Sequence, residues 1–125
     1  MQKTILIIAA VLGAVSVGIG AFGAHGLKGI LLINERLDTF ETAVKYQFYH
    51  TLAIFLIGLL MYRISSDLLN YAAFSMMAGI ILFSGSLYIL SLTNTGAWGA
   101  VTPIGGLFMI IGWVLLALAV AKTTF

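Results

Sequence analysis

Four predominantly apolar stretches, at about residues 5–24, 43–64, 71–92 and 102–121, are separated by short polar segments. Each suffices for one helical crossing, since ~20 residues at ~1.5 Å rise span a ~30 Å hydrocarbon core. The pattern predicts an all-α fold: a four-helix transmembrane bundle in one domain, residues 1–125.

The first stretch follows Lys3 and so resembles a secretory signal. It exceeds the ~7–15-residue core of such signals, and three more apolar stretches follow, so it is read as a retained helix. Ala10, Ala14 and Gly18 lie four apart, as do Ser16, Gly20 and Ala24. Small residues at this spacing let helix backbones approach closely in lipid, either within the bundle or against a second copy. Gly23, Gly26 and Gly29 are expected to end the helix, because glycine accepts the left-handed backbone of helix C-termini. Lys28 suits the negative end of the helix dipole.

Next, Ile30, Ile33, Leu37, Phe40 and Val44 step by three or four, while Glu35, Arg36, Asp38, Glu41 and Lys45 mostly face elsewhere. The segment from Ile30 to Thr39 is read as a short amphipathic helix lying in the membrane interface. Asp38 with Glu41 resembles a capping box, which starts the second long helix near Thr39 and carries it to about Ile64. Tyr62 and Tyr71 flank the next turn, as aromatic residues do at membrane surfaces. Thr102-Pro103 reads as N-cap and first residue of the fourth helix, with Trp98 as an interface anchor and Trp113 as a packing residue.

Composition sharpens this picture. Hydrophobic residues make up 62% of the chain and charged residues 8%, against about 25% charged in a soluble domain. So few charges cannot clothe a water-facing surface, and the solvent implied is lipid. The bilayer is therefore the expected partner. The formal charge of +2, on scattered basic residues, argues against nucleic acid. With no cysteine, thiol chemistry and disulfides are excluded. Four spans put both termini on one side. Basic residues are tied at three per side (Lys3, Arg63, Lys122 against Lys28, Arg36, Lys45), but the second set is interleaved with acids. The termini are read as cytoplasmic and the location as the cell membrane.

Polar chemistry concentrates between the first two stretches. His25, His50 and three of the four acids fall there. His25 ends the first helix and His50 is placed near the start of the second, so an antiparallel pair would bring both to the surface level of one membrane face. Tyr46 and His50 share a face at i, i+4, and Tyr46, Ser84 or Ser86 could hydrogen-bond the imidazole. The candidate cluster is His25, Lys28, Glu41, Lys45, Tyr46, His50, Ser84 and Ser86. Three readings follow: a satisfied polar cluster in a structural or accessory protein, a proton or polar-solute path lined by Ser84, Ser86, Tyr88 and Ser91, or a haem or metal site on His25 and His50. The first is adopted, with no cofactor and no enzymatic activity expected, since no nucleophile–base–orienter set can be argued.

Gly20-Ala-Phe-Gly-Ala-His-Gly-Leu-Lys28, Phe40-Glu-Thr-Ala-Val-Lys-Tyr-Gln-Phe-Tyr-His50, Leu82-Phe-Ser-Gly-Ser-Leu-Tyr88, and Thr102-Pro-Ile-Gly-Gly106 with Gly112-Trp113 resemble the hallmark segments of domain-of-unknown-function family 423. That family includes small bacterial membrane proteins of the YgdD and YwdK type and is similar to eukaryotic transmembrane protein 256. The resemblance implies a four-helix inner-membrane protein and supplies no activity.

Overall fold

The computed structural model describes residues 1–125. It contains α1 (Gln2–Ala24), α2 (Lys28–Ile33), α3 (Leu37–Leu60) and α4 (Asp67–Gly79), then a π-helical turn (Ile80–Ser84) and α5 (Gly85–Thr93). A 3-10 turn (Gly96–Ala100) leads into α6 (Thr102–Ala121). Four units are long and apolar enough to cross a membrane: Gln2–Ala24, Leu37–Leu60, Asp67–Thr93 and Gly96–Ala121. The expected four-helix transmembrane bundle is therefore the fold. A short helix, α2, does stand between spans 1 and 2, but it covers Lys28–Ile33 rather than Ile30 to Thr39, because the chain turns at left-handed Glu35 and Leu37 to Thr39 already belong to α3.

The helices pack in an order that leaves the bundle open on one side. α3 is central, resting on α1 on one flank and on α4, the π turn and α5 on the other, while α6 packs mainly on α4 and the π turn. Ile5 and Ala9 of α1, Ala53, Ile54 and Ile57 of α3, and Leu69, Ala72 and Met76 of α4 form the core. α1 and α6 carry the longest exposed apolar faces, which lipid accepts where water would not.

Several boundaries differ from expectation. α3 starts at Leu37 with Arg36 as its N-cap and ends at Leu60, so it sits earlier than residues 43–64. The Asp38–Glu41 capping box does not form. Asp38 lies inside the first turn and its carbonyl accepts from Thr42 Oγ1 at 2.9 Å; its charge still favours the positive helix end. Thr102 is likewise inside α6, with Val101 as N-cap, because its hydroxyl is engaged with Ser86 Oγ at 2.6 Å. No glycine has positive φ; the left-handed residues are Glu35 and Asn94, at 55° and 53°. Gly23 instead lies within α1, where a Cβ would strike the Phe40 ring. It permits close approach rather than termination.

Asn94 caps α5, and its amide oxygen accepts from Arg36 Nε at 3.0 Å. Asn34 Nδ2 donates to the Ser91 carbonyl at 3.0 Å and reaches that of Leu92. It thereby satisfies acceptors that a helix end leaves unpaired. These two contacts fasten the α2–α3 turn to the end of α5. Asn34→Ala is expected to lower unfolding stability by about 1 kcal/mol and to speed hydrogen exchange at residues 91–95, while leaving helix content by circular dichroism unchanged.

Candidate functional site

α1 and α3 run antiparallel, and their contacts fix the register. Gly23 meets Phe40, Gly20 meets Val44, Gly13 meets Thr51, and Gly58 meets Ile5 and Leu6. On that register His25 lies beside Thr39, eleven residues up α3 from His50. At ~1.5 Å per residue the two imidazoles are separated by about 16 Å along the membrane normal. The surface-level placement of both histidines is therefore corrected. α3 begins so early that His50 lies about 20 Å from its start and about 15 Å from its end, close to mid-bilayer. His25 stays exposed at the rim, beside Gly18, Ala21, Phe22 and Gly26. One metal ion or haem cannot be ligated by both.

The expected cluster divides in two. Lys28, Glu41 and Lys45 are exposed and belong with His25 to a charged rim. His50, Ser84 and Ser86 are buried and belong to an interior seam, with Tyr46 at its lipid edge. His50 is held differently from expectation. Its Nδ1 lies 2.8 Å from the Tyr46 carbonyl oxygen, not the Tyr46 hydroxyl, and its Nε2 lies 3.1 Å from Trp113 Nε1. A carbonyl only accepts and an indole N–H only donates. The two partners therefore dictate a neutral imidazole with its proton on Nδ1. Tyr46 stacks on the His50 ring with centroids 6.2 Å apart, and Phe83 packs on Tyr46 at 4.8 Å. Neither serine reaches His50. Ser84 Oγ donates to the Ala43 carbonyl at 2.7 Å, and Ser86 is shared between the Phe83 carbonyl and Thr102.

The middle of the seam is Gln47, which the sequence reading passed over. It is only 3% exposed. Its Oε1 accepts from the Tyr88 hydroxyl. Its Nε2 points at the Leu12 carbonyl of α1 at 3.5 Å, an oxygen that also accepts from Ser16 Oγ at 2.8 Å. Thr51 Oγ1 returns to the Gln47 carbonyl at 2.7 Å. One amide thus links α1, α3 and α5. Its signal was available: Ala43, Gln47, His50 and Ile54 step by four, three and four, the spacing of one buried helix face.

The tethers share a design. Ser84 to Ala43, Gln47 to Leu12, Ser75 to Phe108 (2.6 Å) and Gln2 to Gly58 (2.8 Å) each end on a helix carbonyl of another span. A carbonyl already bonded within its helix keeps a second lone pair. Such contacts key helix register without a matching side chain. The π turn adds another device. The N–H of Gly85 reaches five residues back to the Ile80 carbonyl, which shifts the helix face at Phe83, Ser84 and Ser86. Of the small residues on α1, Ser16 is buried on the α3 side and Gly20 rests near Val44, whereas Ala10, Ala14 and Gly18 are exposed.

A family profile described as "Protein of unknown function (DUF423)" matches residues 19–106. The UPF0382 membrane protein SAB0533 of Staphylococcus aureus is 46% identical over 121 residues, covering 97% of this chain and 98% of the relative. The UPF0382 membrane protein YwdK of Bacillus subtilis is 42% identical over 122 residues, with 97% and 98% covered. The UPF0382 membrane protein SH2409 of Staphylococcus haemolyticus is 44% identical over 121 residues, with the same coverage. No solved structure matches.

Proposed function

We propose, because this chain belongs to the DUF423 family and its relatives are named membrane proteins, that it is a structural or accessory component of the cell membrane. It performs no turnover of its own, and its termini face the cytoplasm. One observation carries this reading. Every buried side-chain nitrogen and oxygen has a hydrogen-bond partner inside the chain. A catalytic or transport site at hydrocarbon depth keeps donors or acceptors ready for what it binds or passes. Here the seam of His50, Gln47, Tyr88, Ser84 and Ser86 is used up in joining helices, as polar residues between spans do when they hold a bundle together. Association with a second copy through the exposed Ala10, Ala14 and Gly18 face belongs to the same reading.

Reconstitution of the full chain into vesicles tests it. Wild type should pass neither protons nor small polar solutes above the lipid background. His50→Leu should lower unfolding stability by about 1 kcal/mol with flux still at background. Flux by wild type that His50→Leu abolishes would transfer the assignment to a proton or solute path.

A further inference from the structure

The α1–α3 seam opens toward the charged rim into a groove. Its upper part has a volume of about 190 Å³, walled by Gly20, Gly23, Ala24, Phe40 and Val44, with Glu41 and Lys45 at the mouth. It continues inward past Ser16, Val17 and Phe48 through a further 280 Å³, sharing Gly20 and Val44 with the first part. From Ala24 to Ser16 it runs about 12 Å along the bilayer normal. Small residues on α1 leave the groove unfilled, and its floor is the close contact of Gly20 with Val44, where a Cβ on Gly20 would stand 3.4 Å from Val44 Cγ1. Its inner end presents no free hydroxyl, because Ser16 Oγ is turned back onto the Leu12 carbonyl. An open apolar groove of this length, aligned with the lipid chains, fits the upper part of one acyl chain.

The mouth specifies the head. Glu41 and Lys45 stand one helical turn apart and are both exposed, so each can turn to an outside partner. A lysine alone would favour an anionic lipid. The pair is complementary to a zwitterion, with phosphate on the Lys45 ammonium and a cation on the Glu41 carboxylate. A carboxylate is an acceptor, and a primary ammonium supplies N–H donors that a quaternary one lacks. We propose that this groove binds one phospholipid with an ethanolamine-type headgroup, its chain lying along the groove over Gly20 and Val44 and its charges on Glu41 and Lys45. The site is independent of the accessory-protein reading and stands or falls separately from it.

Native mass spectrometry of the full chain in detergent, offered phosphatidylethanolamine, phosphatidylcholine or phosphatidylglycerol with identical chains, is the test. One phosphatidylethanolamine should be retained about tenfold more tightly than either competitor, the factor a charge-assisted hydrogen bond can supply. Glu41→Ala should erase the preference for ethanolamine over choline. Lys45→Ala should weaken retention of all three lipids, and Gly20→Leu, which fills the channel, should prevent it. Lys122→Ala, at the opposite rim, should change nothing. Equal retention of the three lipids by wild type overturns the proposal, as does an undiminished ethanolamine preference in Glu41→Ala. That variant alters an exposed side chain and leaves the bundle intact.

Discussion

Gly105→Ala is expected to destabilise this protein more than any other single methyl group added to it. Gly105 sits where α6 crosses the π turn. A Cβ there would overlap the Phe83 nitrogen and Cα and the Leu82 carbonyl carbon. All three are backbone atoms, so no rotamer change can make room. The crossing is close along its whole length. A Cβ on Gly79 would meet Met109 and the Gly105 carbonyl, and one on Gly112 would meet Met76 and the Ala72 carbonyl. Where lipid removes the hydrophobic drive between helices, such close approach is the main source of association. Overpacking of this kind costs about 3 kcal/mol, and moving α6 outward would also part Ser86 from Thr102 and His50 from Trp113. Thermal unfolding followed by circular dichroism in detergent should show a large drop in midpoint for Gly105→Ala. Gly85→Ala, where a Cβ meets open space, should stay within about 0.5 kcal/mol of wild type. Equal midpoints for the two variants would remove Gly105 from the crossing.

That crossing marks the boundary of what the residues disclose in order. The four spans were legible because lipid imposes one rule on each of them, a long apolar run with its polar groups at the ends. The rim was legible for the same reason: Lys28, Glu41 and Lys45 have nowhere else to be. Contacts between spans obey no such rule. Thr102 and Asp38 each bear a capping signature, yet Ser86 claims the first and an early helix start bypasses the second. Gly23 looks like punctuation in the sequence and is a packing surface in the fold. The π turn has no sequence mark, since it is one residue more than the hydrogen-bond ladder needs. His25 and His50 look like a pair because adjoining ends of antiparallel helices lie at one level, and only the α1–α3 register shows that they lie about 16 Å apart. Gln47 was overlooked for the opposite reason. A neutral amide among aromatic residues looks ordinary until the carbonyl of Leu12 and the hydroxyl of Tyr88 are found on either side of it.

Gln47→Leu should therefore cost about 2 kcal/mol although it makes the helix more apolar. Leucine fills similar space and suits the surroundings. What it removes is the acceptor for the Tyr88 hydroxyl, which then stands at hydrocarbon depth with no partner. Tyr88→Phe alone should cost less, about 1 kcal/mol, because Gln47 Nε2 keeps its approach to the Leu12 carbonyl and only the Oε1 acceptor loses its partner. Combining the two changes discriminates between explanations. If the hydrogen bond joins α3 to α5, the double variant is more stable than the sum of single losses implies, since it leaves no orphaned hydroxyl. The coupling should be about 1 kcal/mol, within the range measured for side-chain hydrogen bonds between membrane helices. If Gln47 acted only through its volume, the losses would add. Tyr49→Phe supplies the reference: its ring is 54% exposed, and it should show no coupling to Gln47→Leu. Additive losses at Gln47 and Tyr88 would deprive the interior seam of its central link, and with it the view that these polar residues serve to hold the spans in register.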